Sequence, residues 1–176
     1  MKYKKLNYLV FFIYLISSSG SYSIERPDLN NLLIHAEKRT IGKIEFFNSK
    51  KKRESLENYK QNLTIINFWA TWCAPCKEEM PHLDKLVSNN KFKEIKVIPI
   101  NIADEKLEKS KEFFDKLNIK NLEIFYGSSL NLAKEFKLRG IPTTIFIDKE
   151  GYEFARVIGF IDFENKSFLD WLSNQL

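Results

Sequence analysis

Asn67-Phe-Trp-Ala-Thr-Trp-Cys73-Ala-Pro-Cys76-Lys-Glu-Glu79-Met-Pro81 holds both cysteines of the 176-residue chain. Leu63-Thr-Ile-Ile-Asn-Phe68, which leads into it, is a short apolar run rich in β-branched residues and suits a strand buried on both faces. Ala74 to Val87 follows with a helical pattern, so the cysteines sit where a buried strand passes into a helix. A thiol at that junction meets the first helical N–H groups and the positive end of the helix dipole, both of which favour thiolate. Cys73 is therefore the expected nucleophile. Two intervening residues bring Cys76 within reach of it once the helix forms, and Pro75 in the first turn forfeits no needed hydrogen bond. A reversible bridge is easy to make there.

A Cys-x-x-Cys pair is also half of a zinc site. Two more ligands would have to come from His35 and His82, the only histidines; His82 lies six residues beyond Cys76 on the same helix, so joint ligation is strained. Covalent haem attachment needs a histidine where Lys77 stands. Cys-His hydrolysis has no stronger support, since neither histidine has an evident orienting partner. The expectation is a site without metal and without a dissociable cofactor.

Working outward, Ile24 to Thr40 is polar and mixed, and is read as an extended lead-in with a short helical piece near Leu29 to Lys38. Ile44 to Asn48 predicts an edge strand, turning through Lys50-Lys-Lys-Arg53 into a short helix over Glu54 to Lys60. Lys93 to Asn101 predicts a second buried strand, with Pro99 marking its tail or a bend. A helix over Lys106 to Leu117, a strand over Glu123 to Tyr126 and a helix over Leu130 to Phe136 come next. Thr144 to Ile147 and Tyr152 to Ile158 form a hairpin about Asp148-Lys-Glu-Gly151, where the glycine supplies positive φ. Asp162 is expected to cap a terminal helix carrying Phe168, Trp171 and Leu172. Strands alternating with helices predict an α/β fold: a partly parallel central sheet covered on both faces, with antiparallel strands added by the hairpin.

Composition agrees with one globular domain, at 44% hydrophobic and 29% charged residues with only two cysteines; disorder and a disulfide-stapled scaffold are both excluded. The formal charge is +5, and Lys2, Lys4 and Lys5 account for three of it, leaving a nearly neutral remainder. No nucleic-acid partner is expected, and the Lys50 to Arg53 run reads as a solvated turn. The basic opening, the apolar run Leu6 to Ile16 and the small residues Ser17 to Ser23 resemble a secretory signal peptide, too short for a spanning helix. The chain divides into a signal peptide or N-terminal anchor at 1–23, a lead-in at 24–43 and a folded domain at 44–176. Export places the cysteines in an oxidising compartment, the periplasm, with membrane anchoring if the leader is retained.

The Cys73 segment resembles the active site of the thioredoxin superfamily, and with Glu79 and Pro81 it is similar to the exported TlpA, ResA and CcmG branch. Arg139-Gly-Ile-Pro142-Thr143, just before a strand, is a second and independent match, at the place of that family's cis-proline. The resemblance covers about residues 40 to 176. It implies a thioredoxin-like fold, a central mixed sheet flanked by helices, with an N-terminal extension and an inserted βα unit between the Cys-x-x-Cys helix and Pro142. It assigns Cys73 and Cys76 as the redox-active disulfide. Asn67 stands where thioredoxins carry a buried acid, and Glu79 is its natural substitute as a third catalytic group. Trp72, Ile141 and Pro142 are implied as the substrate-binding surface, the backbone of Ile141 pairing with an extended substrate. Pro81 resembles the family's helix-kinking proline.

The function implied is thiol-disulfide exchange in the reducing direction, without a cofactor. Electrons would come from a membrane thiol donor of the DsbD or CcdA kind, and the protein substrates would be apocytochrome c or copper-site proteins of cytochrome oxidase. A disulfide-donating oxidase is one rival, disfavoured by the absence of histidine inside the Cys-x-x-Cys. A copper-handling binding module using both thiols as soft ligands is the other, with peroxide reduction a weaker fourth reading.

Overall fold

Every residue of Thr64–Trp69 (β4) is buried in the computed structural model, which describes residues 27–176. The strand has neighbours on both edges and helices against both faces, the environment its unbroken apolar run requires. It pairs in parallel with Lys96–Asn101 (β5) and antiparallel with Thr143–Ile147 (β7), so that Ile66 lies opposite both Ile98 and Ile145. The remaining strands are Leu32–Thr40 (β1), Glu45–Asn48 (β2), Arg53–Ser55 (β3), Phe125–Tyr126 (β6) and Tyr152–Ile158 (β8). Together they form one sheet of eight strands in the order β1-β8-β7-β4-β5-β6-β2-β3. The helices are Ala74–Ser88 (α1), Leu107–Lys116 (α2), Ser129–Glu135 (α3) and Lys166–Ser173 (α4).

Two-residue periodicity on the central strands separates two cores. Ile65 and Trp69 of β4, Val97 of β5 and Phe146 of β7 face α1, α2 and α4, packing with Met80, Leu83, Phe113, Phe114, Phe168 and Trp171. Ile66 and Phe68, with Ile98, Ile100 and Ile145, face the other way against Leu132, Phe136 and Phe46. Asn67 and Thr144 lie on the α1 side by the same alternation. Between α1 and β7 the chain adds β5, α2, β6 and α3, which contain the expected inserted unit. The signal or anchor segment expected at 1–23 lies outside the described residues.

Five local expectations are corrected. Leu29 to Lys38 is not helical: β1 begins at Leu32 and pairs antiparallel with β8, Leu32 opposite Val157, with a register shift between Ile34 and Arg39. His35 secures it, its Nε2 2.6 Å from Glu153 Oε1, while Arg156 binds the same buried carboxylate with Nε and Nη2 at 2.6 and 2.7 Å. Burial raises the proton affinity of Glu153, but the Arg156 and His35 hydrogen bonds outweigh it and hold the carboxyl below its usual range. Ile44 to Asn48 is not the sheet edge; β2 sits between β6 and β3, and the predicted helix at Glu54 is a strand followed by a single 3-10 turn at Leu56–Tyr59.

Pro99 stands inside β5. Lys96 N and Ile102 N bond to Leu63 O and Trp69 O of the β4 side, so Pro99, an odd number of residues from each, turns its missing N–H the other way. The β6 ladder starts only at Ile100 opposite Phe125, and no hydrogen bond is forfeited. The terminal helix is capped by Asn165, whose Oδ1 accepts from Phe168 N at 3.1 Å. Asp162 instead closes a turn by accepting from Glu164 N at 2.9 Å, the two-residue reach natural to its short side chain.

Asp84 of α1, nearly buried, ties the inserted unit to the helix. It accepts from the backbone N–H groups of Lys120, Asn121 and Leu122 and from Asn121 Nδ2. Removing it leaves several donors without a partner. Asp84→Ala is expected to lower stability by about 2–4 kcal/mol in urea unfolding, with little change in the dithiol chemistry. A loss below about 0.5 kcal/mol would show that the loop before β6 does not depend on this carboxylate.

Candidate active site

Cys73 caps α1. Its backbone is extended at φ −77° and ψ 110°, and its Sγ accepts from Cys76 N at 3.3 Å, so the sulfur takes the place of a capping oxygen. Pro75 occupies the first turn, and no acid stands in that turn to offset the positive helix end. Cys73 and Cys76 are joined in a disulfide. Both cysteines are buried, Cys76 completely and Cys73 with 4% of its surface exposed, so Cys73 is the less enclosed of the two. Trp72 beside it is 69% exposed and presents its indole to solvent.

Glu79 lies one turn beyond Cys76, on the face of α1 that packs against the sheet. It has no solvent exposure. Asn67 Nδ2 donates to its Oε1 at 2.8 Å, and Ile161 N donates to its Oε2 at 3.2 Å. The same Asn67 nitrogen donates to Thr144 Oγ1 at 3.1 Å, while Asn67 Oδ1 is buried without a partner among the described residues. Burial pushes the Glu79 carboxyl up to about 8, against the pull of its two hydrogen bonds from Asn67 and Ile161. At neutral pH it holds its proton.

The Ile141-Pro142 peptide is cis and lies at the entry to β7. Pro142 O accepts from Gly159 N at 2.8 Å, and Thr143 Oγ1 donates to Gly140 O at the same distance. The backbone of Ile141 has no hydrogen-bond partner among the described residues. Dithiol, buried acid and cis-proline are thereby gathered at one end of the central strands, through β4, α1 and β7.

A family model described as AhpC/TSA matches residues 39–152, well over half of the chain. The chain belongs to the AhpC/TSA family. Among curated relatives it is 30% identical over 108 residues to the thiol-disulfide oxidoreductase ResA of Bacillus cereus (strain ZK / E33L), covering 61% of each chain. A ResA of Bacillus thuringiensis (strain Al Hakam) is 26% identical over 163 residues, 90% of this chain and 91% of the relative. Among solved structures, the exposed lipoprotein thioredoxin of Streptococcus pneumoniae strain TIGR4 superposes with a TM-score of 0.63 at 25% identity, covering 77% of this chain and 100% of that one. The thioredoxin-like resemblance drawn from the two motifs is thereby shown.

In this AhpC/TSA domain one anchor of the site carried no motif. Glu105 accepts from Thr71 Oγ1 at 2.9 Å, from Thr71 N at 3.4 Å and from Asn101 Nδ2 at 2.9 Å, fixing the loop that delivers Trp72 and Cys73. Burial opposes its ionisation, but the Asn101 and Thr71 hydrogen bonds, helped by Lys109, prevail and keep the carboxyl below its usual range. The only cue was an acid shortly after a strand end at Asn101. The histidines weighed as metal ligands are engaged elsewhere, His35 with Glu153 and His82 with Asp162 at 3.0 Å. Among the described residues no group of three or more His, Cys, Asp or Glu side chains is arranged to hold a metal ion.

The buried acid has a thermodynamic signature. Unfolded, Glu79 releases its proton near pH 4.5; folded, it retains it to about 8. The proton-linked stability is complete below the unfolded value and is lost as pH rises between the two. Relative to wild type, Glu79→Gln is therefore expected to gain a few kcal/mol between pH 5 and pH 9, read from parallel denaturant unfolding curves of the oxidised protein. A difference that stays constant across that range would place Glu79's proton affinity in the ordinary carboxylate range.

Proposed function

We propose that this chain is an exported thiol-disulfide oxidoreductase that reduces disulfides in other proteins through Cys73 and Cys76, with Glu79 as their proton partner. The observation that carries the reading is the pairing of a disulfide whose first sulfur caps a helix N-terminus with a buried carboxyl one turn behind the second sulfur. The thiol-disulfide oxidoreductase activity for which both ResA relatives are named supports it. The Cys73 thiolate attacks a substrate sulfur; the substrate S–S bond breaks, a mixed disulfide forms, and one substrate thiolate leaves and takes a proton from solvent. Glu79 carboxylate then accepts the Cys76 proton. The Cys76 thiolate attacks Cys73 Sγ, the bond from Cys73 to substrate breaks, and the second substrate sulfur leaves as a thiolate that takes its proton from solvent.

The end state is the oxidised protein with Glu79 protonated, which matches a carboxyl whose proton affinity is raised to about 8. A half-turn of the Asn67 amide would offer its orphaned Oδ1 to the carboxyl O–H in that state. Reduction reverses the transfer, Glu79 returning the proton to the Cys76 sulfur as it leaves. Trp72 supplies an exposed flat contact beside Cys73, and Ile141 supplies free backbone groups to an extended substrate segment held against Pro142.

Residues 1–23 serve in this reading as an export leader or anchor, and the exposed location named for the pneumococcal neighbour is in keeping with it. The electron source would be a membrane thiol protein of the DsbD or CcdA kind. The substrates would be the Cys-x-x-Cys segment of apocytochrome c or the cysteines of an oxidase copper site.

Cys76→Ser tests the class of activity. It is expected to accumulate mixed disulfides through Cys73 with exported proteins, released by dithiothreitol and absent in the Cys73→Ser, Cys76→Ser double variant. A copper carrier would lose metal and trap nothing. Glu79→Gln is expected to slow resolution of a preformed mixed disulfide roughly a hundredfold at pH 7, leaving Cys73 attack nearly unchanged. Equal slowing of both steps would remove Glu79 as the proton partner of Cys76.

A further inference from the structure

The loop Ile158 to Ile161 touches two parts of the site. Gly159 N satisfies the Pro142 carbonyl, and Ile161 N satisfies one oxygen of Glu79. Phe160 between them is 39% exposed. Gly159 has φ +92°, a conformation that favours glycine, so the loop is sharply turned rather than a continuation of β8. Something must hold it in register, because two of its N–H groups have to meet fixed acceptors at once.

The holding group is Asn31, in the segment that enters β1. Its Nδ2 donates to Phe160 O at 2.8 Å and to Ile158 O at 3.3 Å, straddling the glycine, and its own carbonyl accepts from Ile158 N at 3.3 Å. A Cβ built on Gly159 would lie 3.9 Å from that same Nδ2, so the amide covers the turn. The contact spans more than 120 residues of chain. We propose that Asn31 is a positioning residue of the dithiol site, clasping the 158–161 loop so that its N–H groups stay on Glu79 and on the cis-proline carbonyl.

This rests on the reading of Glu79 as proton partner, and it gives the lead-in a role in the chemistry. Among the described residues no other side chain donates to the carbonyls of this loop. On α1 the titratable groups one turn from Glu79 are Cys76 before it and His82 after it, and His82 lies 3.0 Å from Asp162 and 3.7 Å from Glu164 beyond the loop. β4 and β7 contribute no ionisable side chain, and the Glu153–Arg156 pair of β8 is closed on itself and His35. With Asn31 truncated, the Ile161 N–H is free to leave the carboxylate, and the proton is then held more tightly.

The test is the titration of Glu79 itself, followed by carbon-13 NMR of its labelled carboxyl in the oxidised full chain. Asn31→Ala is expected to raise the midpoint by about half a pH unit or more. Gly159→Ala, which disturbs the same clasp from the loop side, is expected to move it in the same direction. His35→Ala loosens β1 at its other attachment and serves as the control, expected to lower stability without moving the midpoint. An unchanged or lowered midpoint in Asn31→Ala, or an equal rise in His35→Ala, would overturn the proposal. Resolution kinetics of Glu79→Gln judge the underlying reading separately: a raised midpoint in Asn31→Ala beside unaltered kinetics in Glu79→Gln would support the clasp and remove only the proton role.

Discussion

A carboxyl group without access to water, held by an amide from the central strand and an N–H from a distant loop, sets the terms for the rest of this fold. Glu79 can keep that position only if α1 lies flat on the α1-facing side of β4 and β7, since its partner Asn67 is on β4 and that same amide donates to Thr144 of β7. The same placement brings Cys76 out of solvent and leaves Cys73 at the helix mouth. Desolvation that raises Glu79 and the helix end that favours thiolate at Cys73 thus arise from one packing arrangement. Two groups on one helix are pushed toward opposite protonation states at the same pH, the condition under which a proton passes between acid and thiol in step with electron transfer.

Support for that arrangement comes from both ends of the chain and from the insertion. Glu105 ties down the loop before Cys73, and Asp84 fastens the inserted unit to α1. Asn31 reaches the 158–161 loop from the segment before β1. The reactive face is left comparatively bare. Trp72 is largely exposed, and the Ile141 backbone is unpaired among the described residues, which suits the extended protein substrate proposed for it.

What was legible in the sequence was what local chemistry dictates. β4 announced itself by an apolar β-branched run and α1 by its helical pattern with Pro75 in the first turn, and both fell within a residue or two of expectation. The pairing of Cys73 with Cys76 followed from strand, helix start and Cys-x-x-Cys spacing. Pro142 was legible through its motif, because no local preference selects a cis bond. β1 was not legible: most of its residues are exposed, its register shifts past His35, and it is a strand because β8 offers a free edge. Pro99 misled for a related reason, since whether a proline breaks a strand depends on which neighbour its nitrogen faces. The links Asn67 to Thr144, Thr71 to Glu105 and Asn31 to Phe160 join residues 77, 34 and 129 apart, and pattern within a window carries no trace of such contacts.

The most direct test of the account is the reduction potential of the Cys73–Cys76 couple, measured by equilibration in glutathione and dithiothreitol buffers on protein lacking residues 1–23. The account predicts a value near the thioredoxin end of the scale, about −270 mV, as expected of a dithiol that passes electrons to substrate disulfides. A value near about −120 mV would mean that the protein hands disulfides on instead, and would contradict the reducing role assigned to it.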